Sequence, residues 1–129
     1  MNQIKLQKSS QVETRDFGNG LDLKILFDRE EGAKNLDFGT VEIAPHCPTP
    51  MHVRNFEEVI YVLEGQGETI TQTGEVFTMG VGDCILIPAG VTHCHANNTD
   101  APMKQIYIFA PQSSDEMQES LRNLKIKKG

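Results

Sequence analysis

Tryptophan is absent from the 129 residues, and aromatic residues make up only 6% of the chain. The composition is otherwise that of an ordinary soluble globular protein, with 38% hydrophobic and 23% charged residues. No apolar run approaches the roughly 18–20 residues that span a bilayer, and the start, Met1-Asn2-Gln3-Ile4-Lys5-Leu6, lacks the apolar block of a signal peptide. Basic residues are in the minority, and the net charge of −6 argues against nucleic acid or an anionic membrane as a partner. Cysteine is scarce. Cys47, Cys84 and Cys94 form no C-x-x-C pair and leave one over under any full pairing, so a reduced, cytoplasmic protein is expected. No linker, repeat or low-complexity tract interrupts the chain, so one domain over residues 1–129 is expected, long enough to bury a core without staples.

What is present reads as short strands between Gly-rich turns. Leu21, Leu23, Ile25 and Phe27 alternate and are expected on one side of a strand. Val41 and Ile43 lie in a second run that ends at the Pro45–Pro50 loop. Val59 to Leu63 is continuously apolar, which suits a strand covered on both faces. Cys84 to Ile87 and Gln105 to Phe109 supply further strands, with Cys84 expected in the core. Turns fall at Gly65-Gln66-Gly67, Thr73-Gly74-Glu75 and Gly80-Val81-Gly82-Asp83. The tail differs: Ser113 as N-cap with Glu116 three residues on forms a capping box. Met117, Leu121 and Leu124 follow at helical spacing, with Lys125, Lys127 and Lys128 at the C-terminal end, so a helix over about 114–125 is expected.

Two spaced patterns carry the chemistry. His52-Val53-Arg54-Asn55-Phe56-Glu57-Glu58, closing at Gly65, resembles the first cupin motif, G-x5-H-x-H-x3-E-x6-G. Gly82, Pro88, Gly90, His93 and Asn97 match the second, G-x5-P-x-G-x2-H-x3-N, at every position. The two span roughly residues 46 to 97 in the right order. The resemblance implies an all-β fold, the cupin double-stranded β-helix or jelly-roll barrel, with its core at about residues 37–110 and a short C-terminal helix. The spacing is physically coherent by itself. Pro88-Ala89-Gly90 reverses the chain ahead of His93. Glu58, Ile60 and Val62, two apart, share a strand face. If that face is the interior, Glu58 is a carboxylate in an apolar cavity and requires a cation or a donor.

The first motif is broken at two positions. His46 stands where it usually begins with Gly, and Arg54 stands where its second His belongs. Guanidinium has no lone pair for a metal, so the expected ligands are His52, Glu58 and His93. Such a two-His-one-carboxylate set suits one divalent transition metal, with Fe, Zn, Mn and Ni undistinguished. Arg54 has three readings. It pairs with Glu58 or Glu57 and disables the metal site, it faces the pocket and clamps a substrate anion, or it turns to solvent while His46 or His95 replaces the lost ligand. His95, two residues from His93, shares its face and is the better substitute. Cys47 either reaches the pocket mouth or, more simply, is packed, Cys94 faces away from the site, and Tyr61 lies outside the cavity or in an interface.

These residues support a metal-dependent enzyme acting on a small anionic metabolite, of dioxygenase, isomerase or lyase type. The alternative is a non-catalytic cup for a sugar or organic acid without functional metal. A structural or regulatory role has less behind it, since the chain offers no DNA-binding segment. Val59, Tyr61 and Leu63 need cover from a second sheet or another subunit, and the resemblance implies a homodimer.

Overall fold

The computed structural model describes residues 3–128. Eleven strands are formed: β1 (Arg15–Gly18), β2 (Leu21–Phe27), β3 (Asp37–Ile43), β4 (Cys47–Pro48), β5 (Glu57–Glu64), β6 (Gly67–Thr71), β7 (Val76–Met79), β8 (Cys84–Ile87), β9 (His93–Asn97), β10 (Met103–Ala110) and β11 (Lys125–Ile126). One helix, α1 (Asp115–Arg122), lies between the last two strands. A seven-stranded sheet runs β11-β1-β2-β3-β10-β5-β8, and a four-stranded sheet runs β4-β9-β6-β7. All pairings are antiparallel. The two sheets form the jelly-roll barrel that the motifs imply, with a short C-terminal helix.

Alternation fills the interior. Glu58, Ile60 and Val62 on β5 are buried, as are Gln105, Tyr107 and Phe109 on β10. Register places Glu58 opposite Phe109, Ile60 opposite Tyr107 and Val62 opposite Gln105. Gly39 completes this layer, because a Cβ there would lie 2.6 Å from the Tyr107 ring, so only glycine admits the tyrosine. One apolar cluster gathers Leu23, Ile25, Phe56, Ile60, Ile87, Tyr107 and Phe109, and a second gathers Leu21, Ile43, Val62, Met79 and Met103.

Several expectations need correction. The alternation of β2 breaks at a bulge between Ile25 and Phe27, so Leu26 is buried and Phe27 only half-buried. Within a single chain β5 is not covered on both faces, since Tyr61 and Leu63 are 42% and 37% exposed. Cys84 is exposed rather than core, because it lies directly opposite Tyr61 and shares that outer face.

The tail is also rearranged. The helix N-cap is Ser114, whose hydroxyl accepts from Met117 N–H, and not Ser113. Ser113 is buried instead, with its amide and hydroxyl both donating to Asp37. The helix ends at Arg122, short of residue 125. Lys125 and Ile126 leave it to pair with Asp16 and Arg15 as an edge strand, and Lys127 reaches Asp22 at 2.7 Å. The lysines therefore close a sheet edge and do not cap a helix. Met117, Leu121 and Leu124 pack on the first apolar cluster as their spacing predicts.

Candidate metal centre in the barrel cavity

The two motifs meet through backbone pairing. His52 and His93 exchange hydrogen bonds, His52 N–H to His93 C=O at 2.8 Å and His93 N–H to His52 C=O at 2.9 Å. Gly90, at φ +87°, turns the chain before His93, and its N–H donates to the Arg54 carbonyl at 2.8 Å. His95 is fixed from both sides: Thr49 N–H donates to its carbonyl at 2.6 Å, and its own N–H donates to Thr49 Oγ1 at 2.8 Å. Glu58 enters from β5 of the facing sheet. One carboxylate and three imidazoles from two sheets thus share one place, with every donor atom within 4.8 Å of the others.

Glu58 Oε1 lies 3.3 Å from His93 Nε2 and 4.0 Å from His52 Nε2, and Oε2 lies 3.4 Å from His95 Nε2. Glu58 is 4% exposed, His93 1% and His95 4%. The far nitrogen of each imidazole is already committed. His52 Nδ1–H donates to the Pro50 carbonyl at 3.1 Å, and His93 Nδ1–H donates to the Val91 carbonyl at 2.8 Å. Thr69 Oγ1 turns its proton to Met79 Sδ, at 3.8 Å, and accepts from His95 Nδ1–H at 3.0 Å. A neutral imidazole carrying its proton on Nδ1 presents a lone pair at Nε2. All three Nε2 atoms converge on Glu58.

Electrostatics follow from this packing. Burial brings the His52 pKa down to about 4, and the positive fields of Arg54 and His93 add to the effect. Burial also pulls His93 down, but its bonds to Glu58 and to the Val91 carbonyl outweigh it and the net direction is upward. For Glu58, burial alone would raise the pKa, but the neighbouring His93 and His95 imidazoles hold it well below the usual carboxylate range. The carboxylate is therefore ionised at neutral pH.

The donor set fits a divalent metal. Two donors each about 2.1 Å from a shared ion lie about 3.0–3.4 Å apart at octahedral or tetrahedral angles, close to the 3.3 and 3.4 Å observed here. His95 Nε2 is buried without a hydrogen-bond partner among the described residues, which suits a ligand nitrogen.

The expected residues divide clearly. His52, Glu58 and His93 come together, and His95 joins them. His46 does not: its ring is exposed and bonds Asp100 at 2.6 Å. Its backbone sits at φ +57°, the left-handed geometry that suits the glycine usually found there. Among the described residues Arg54 forms no ion pair with Glu57, Glu58 or any other carboxylate. Its side chain lines the cavity, with Nε buried and unpartnered. Burial lowers its pKa, partly offset by the Glu58 charge, and it remains a cation. Cys47 packs against the second apolar cluster and Cys94 is buried, and neither lines the cavity. Tyr61 lies outside it, as expected.

The cavity measures about 90 Å³. Apolar walls come from both clusters, while Phe17 of β1 and Met117 and Leu121 of α1 also line it. Sequence reasoning missed Gln105, which is 2% exposed, and Tyr107, both of which line this space. The available signal was an amide in register with Tyr107 and Phe109 on an inward face. Asn97, which closes the second motif, has a structural role: its amide donates to the Ile43 and Ala101 carbonyls, and its oxygen accepts from Thr99.

The chain is similar to known proteins in sequence and in fold. A gentisate 1,2 dioxygenase 1 from Aquipseudomonas alcaligenes is 34% identical over 61 residues, 47% of this chain and 18% of that protein. A germin-like protein subfamily 2 member 2 from Arabidopsis thaliana is 30% identical over 83 residues, 60% of this chain and 38% of that protein. The chain thus spans well under half the length of these curated relatives. The structure of the polyketide cyclase RemF from Streptomyces resistomycificus superposes with a TM-score of 0.76 at 23% identity, covering 85% of this chain and 81% of that one. The family model for the cupin domain matches residues 39–109, more than half of the 129 residues and the stretch that carries both motifs. On that match, and with a barrel that agrees, the chain belongs to the cupin family.

Proposed function

We propose that this cupin holds one divalent metal through His52, Glu58, His93 and His95 and acts as an enzyme on a small organic anion. The observation behind this is the convergence of three imidazole Nε2 atoms on one buried carboxylate, with the far nitrogen of each ring within hydrogen-bond distance of another group. Without a cation, that arrangement leaves His95 Nε2 unsatisfied. His95 supplies the third imidazole that Arg54 removes from the first motif. A bound divalent ion polarises a substrate oxygen as a Lewis acid or supports dioxygen chemistry.

The chain's own residues do the rest. Arg54 holds the anionic group by a charge-assisted hydrogen bond at the edge of the cavity. Phe17, Met117 and Leu121 narrow the space and keep water from the reacting atoms. A water-sized sphere takes about 10–15 Å³ on this scale, so 90 Å³ suits a compact metabolite. The curated match to a dioxygenase supports that reaction type, with isomerase and lyase chemistry also compatible with the site. Metal analysis of protein purified without chelator tests the reading: about one transition-metal ion per chain is expected, removable by chelator with a fall in Tm. Absence of metal, and of uptake on reconstitution, overturns it. Oxygen consumption then separates a dioxygenase from the other two types.

A homodimer and a reducing cytoplasm complete the proposal. Phe27, Phe38, Ile108, Val59 and Leu86 lie in one cross-strand row on the outer face of the larger sheet, with Ile106 and Tyr61 in the next row. No second sheet covers them among the described residues. Light scattering is expected to give a dimer mass, and Tyr61→Glu a monomer. A monomeric wild type overturns this part.

A further inference from the structure

Three buried side-chain polar atoms lack a hydrogen-bond partner among the described residues: His95 Nε2, Arg54 Nε and Gln105 Oε1. All three belong to residues lining the same cavity. A buried polar atom without a partner is costly, and three collected in one space point to a ligand that satisfies them. His95 Nε2 is accounted for by the metal. Arg54 Nε is a cationic donor and Gln105 offers an amide. Register separates the two. Arg54 precedes β5 and also lines the adjoining surface groove with Val53, Asn55 and Gly90, which places it at the mouth. Gln105 pairs with Val62, four residues beyond Glu58 along β5, so it sits about 13 Å along the strand from the level of Glu58, toward the floor.

Apolar neighbours surround Gln105. Val62, Met103 and Ile43 are each at most 1% exposed, and Gln105 Oε1 has no hydrogen-bond partner among the described residues. A leucine would fill such a place without cost, so the amide requires another explanation. We propose that Gln105 is the specificity residue of this cavity and that the ligand is a small hydroxy acid, with its carboxylate at Arg54 and its distal hydroxyl at Gln105. This rests on reading the cavity as an organic-anion site. A hydroxyl meets the amide in either orientation, because it both donates and accepts. An acid with an apolar far end leaves the amide unpaired and is rejected, as sites built around a substrate hydroxyl reject analogues that lack it.

The test uses isosteric pairs that differ only in a terminal hydroxyl or methyl and are long enough to reach from Arg54 to Gln105: 5-hydroxypentanoate and hexanoate, 6-hydroxyhexanoate and heptanoate, 7-hydroxyheptanoate and octanoate. Binding to the metal-loaded protein is measured by calorimetry. Wild type is expected to prefer the hydroxy acid at least tenfold for one chain length. In Gln105→Leu the preference is expected to vanish or reverse, with metal content and Tm held or Tm raised. Arg54→Met is expected to weaken both members of a pair alike. Equal affinities at every length, no saturable binding of any acid, or a preference that survives Gln105→Leu would each overturn the assignment. So would a Tm lowered by several degrees in Gln105→Leu, which would mark the amide as a structural group. Metal content, measured in parallel, keeps the two proposals separable: wild type that takes up no metal contradicts the metal centre, whereas an unselective but metal-loaded protein contradicts only the role of Gln105.

Discussion

Two buried polar clusters lie at different places in this small barrel, and they are built to opposite rules. Under the C-terminal helix, Arg122 reaches Asp28 through Nε at 3.1 Å and Nη2 at 2.7 Å, and Glu31 at 2.7 Å. Beside it, Asp37 accepts from Ser113 N–H, Ser113 Oγ–H and Gln118 Nε2–H. Cation meets anion, donor meets acceptor, and none of these side chains carries an orphaned buried atom. In the cavity, three imidazole Nε2 atoms converge on one carboxylate, and Arg54 Nε, His95 Nε2 and Gln105 Oε1 are buried without a hydrogen-bond partner among the described residues. The first cluster is complete within the chain and serves to anchor α1 and the tail. The second, on the proposed reading, is completed by a bound metal and ligand. Satisfaction of hydrogen bonds, more than burial or charge alone, is what separates a structural cluster from a functional one here.

Removing one charged member from each cluster should give the largest effects, with opposite profiles. Arg122→Met leaves Asp28, at 3% exposure, without its cation, and loss of one partner from a buried pair costs about 3–5 kcal/mol. A large fall in the urea midpoint is expected, with metal per folded chain unchanged. Glu58→Gln should instead abolish metal retention while the metal-free protein stays folded, because the three imidazoles lose a charge they do not need for packing. A Glu58→Gln protein that unfolds, or an Arg122→Met protein that loses its metal, would erase the distinction between the clusters.

The next effect down concerns which histidine completes the site. His95→Gln is expected to lower metal affinity by about 100-fold, a loss of about 2.7 kcal/mol at 1.36 kcal/mol per tenfold. His46→Gln should leave it unchanged, since His46 is exposed and bonded to Asp100. Equilibrium dialysis against a competing chelator measures both. Thr69→Val probes the support behind His95: it removes the oxygen that receives His95 Nδ1–H, 3.0 Å away. Removing such a partner of a ligating histidine typically costs 10–100-fold in affinity, and about tenfold is expected here.

His52, Glu58 and His93 were legible through their match to the two cupin motifs, with a spacing that strand period and a Pro-Gly turn make physically coherent. His95 was legible from strand period, as a residue two positions along the strand from His93. The direction of Arg54 was not, because a side chain on an irregular segment has no period to assign it a face. Gln105 was hidden differently. Its strand was clear, but a single amide within an apolar alternation resembles an outward-facing polar residue until the register is known. The tail failed at its ends. Ser113 and Ser114 are equivalent as caps in one dimension, and only the need of buried Asp37 for donors decides between them. The lysines after Arg122 obey helix-end chemistry equally well, but the open edge of β1 offers backbone partners that no local rule reports.

Acid response should give the smallest effect and still distinguish the anchoring cluster. Burial acts to raise the Asp28 pKa, but the hydrogen bonds and charge of Arg122 outweigh it and the net shift is downward. A depressed folded pKa contributes stability that is present above the unfolded value, 3.8, and is lost as pH falls through the folded one. Asp37 moves the other way: burial raises its pKa beyond what the Ser113 hydrogen bonds recover, and the nearby Asp28 charge adds to the rise. Its sign is therefore opposite. The penalty for ionising Asp37 is fully present above its raised folded value and is relieved as pH falls through that value. The two partly cancel, so the wild-type urea midpoint is expected to fall only modestly between about pH 6 and pH 3 from these groups. Arg122→Met removes the Asp28 contribution and leaves the Asp37 relief, so its midpoint should lie lower at every pH but fall less steeply on acidification. A steeper acid loss in Arg122→Met would show that Asp28 draws its depressed pKa from another source, and that the anchoring cluster is not the closed set its hydrogen bonds describe.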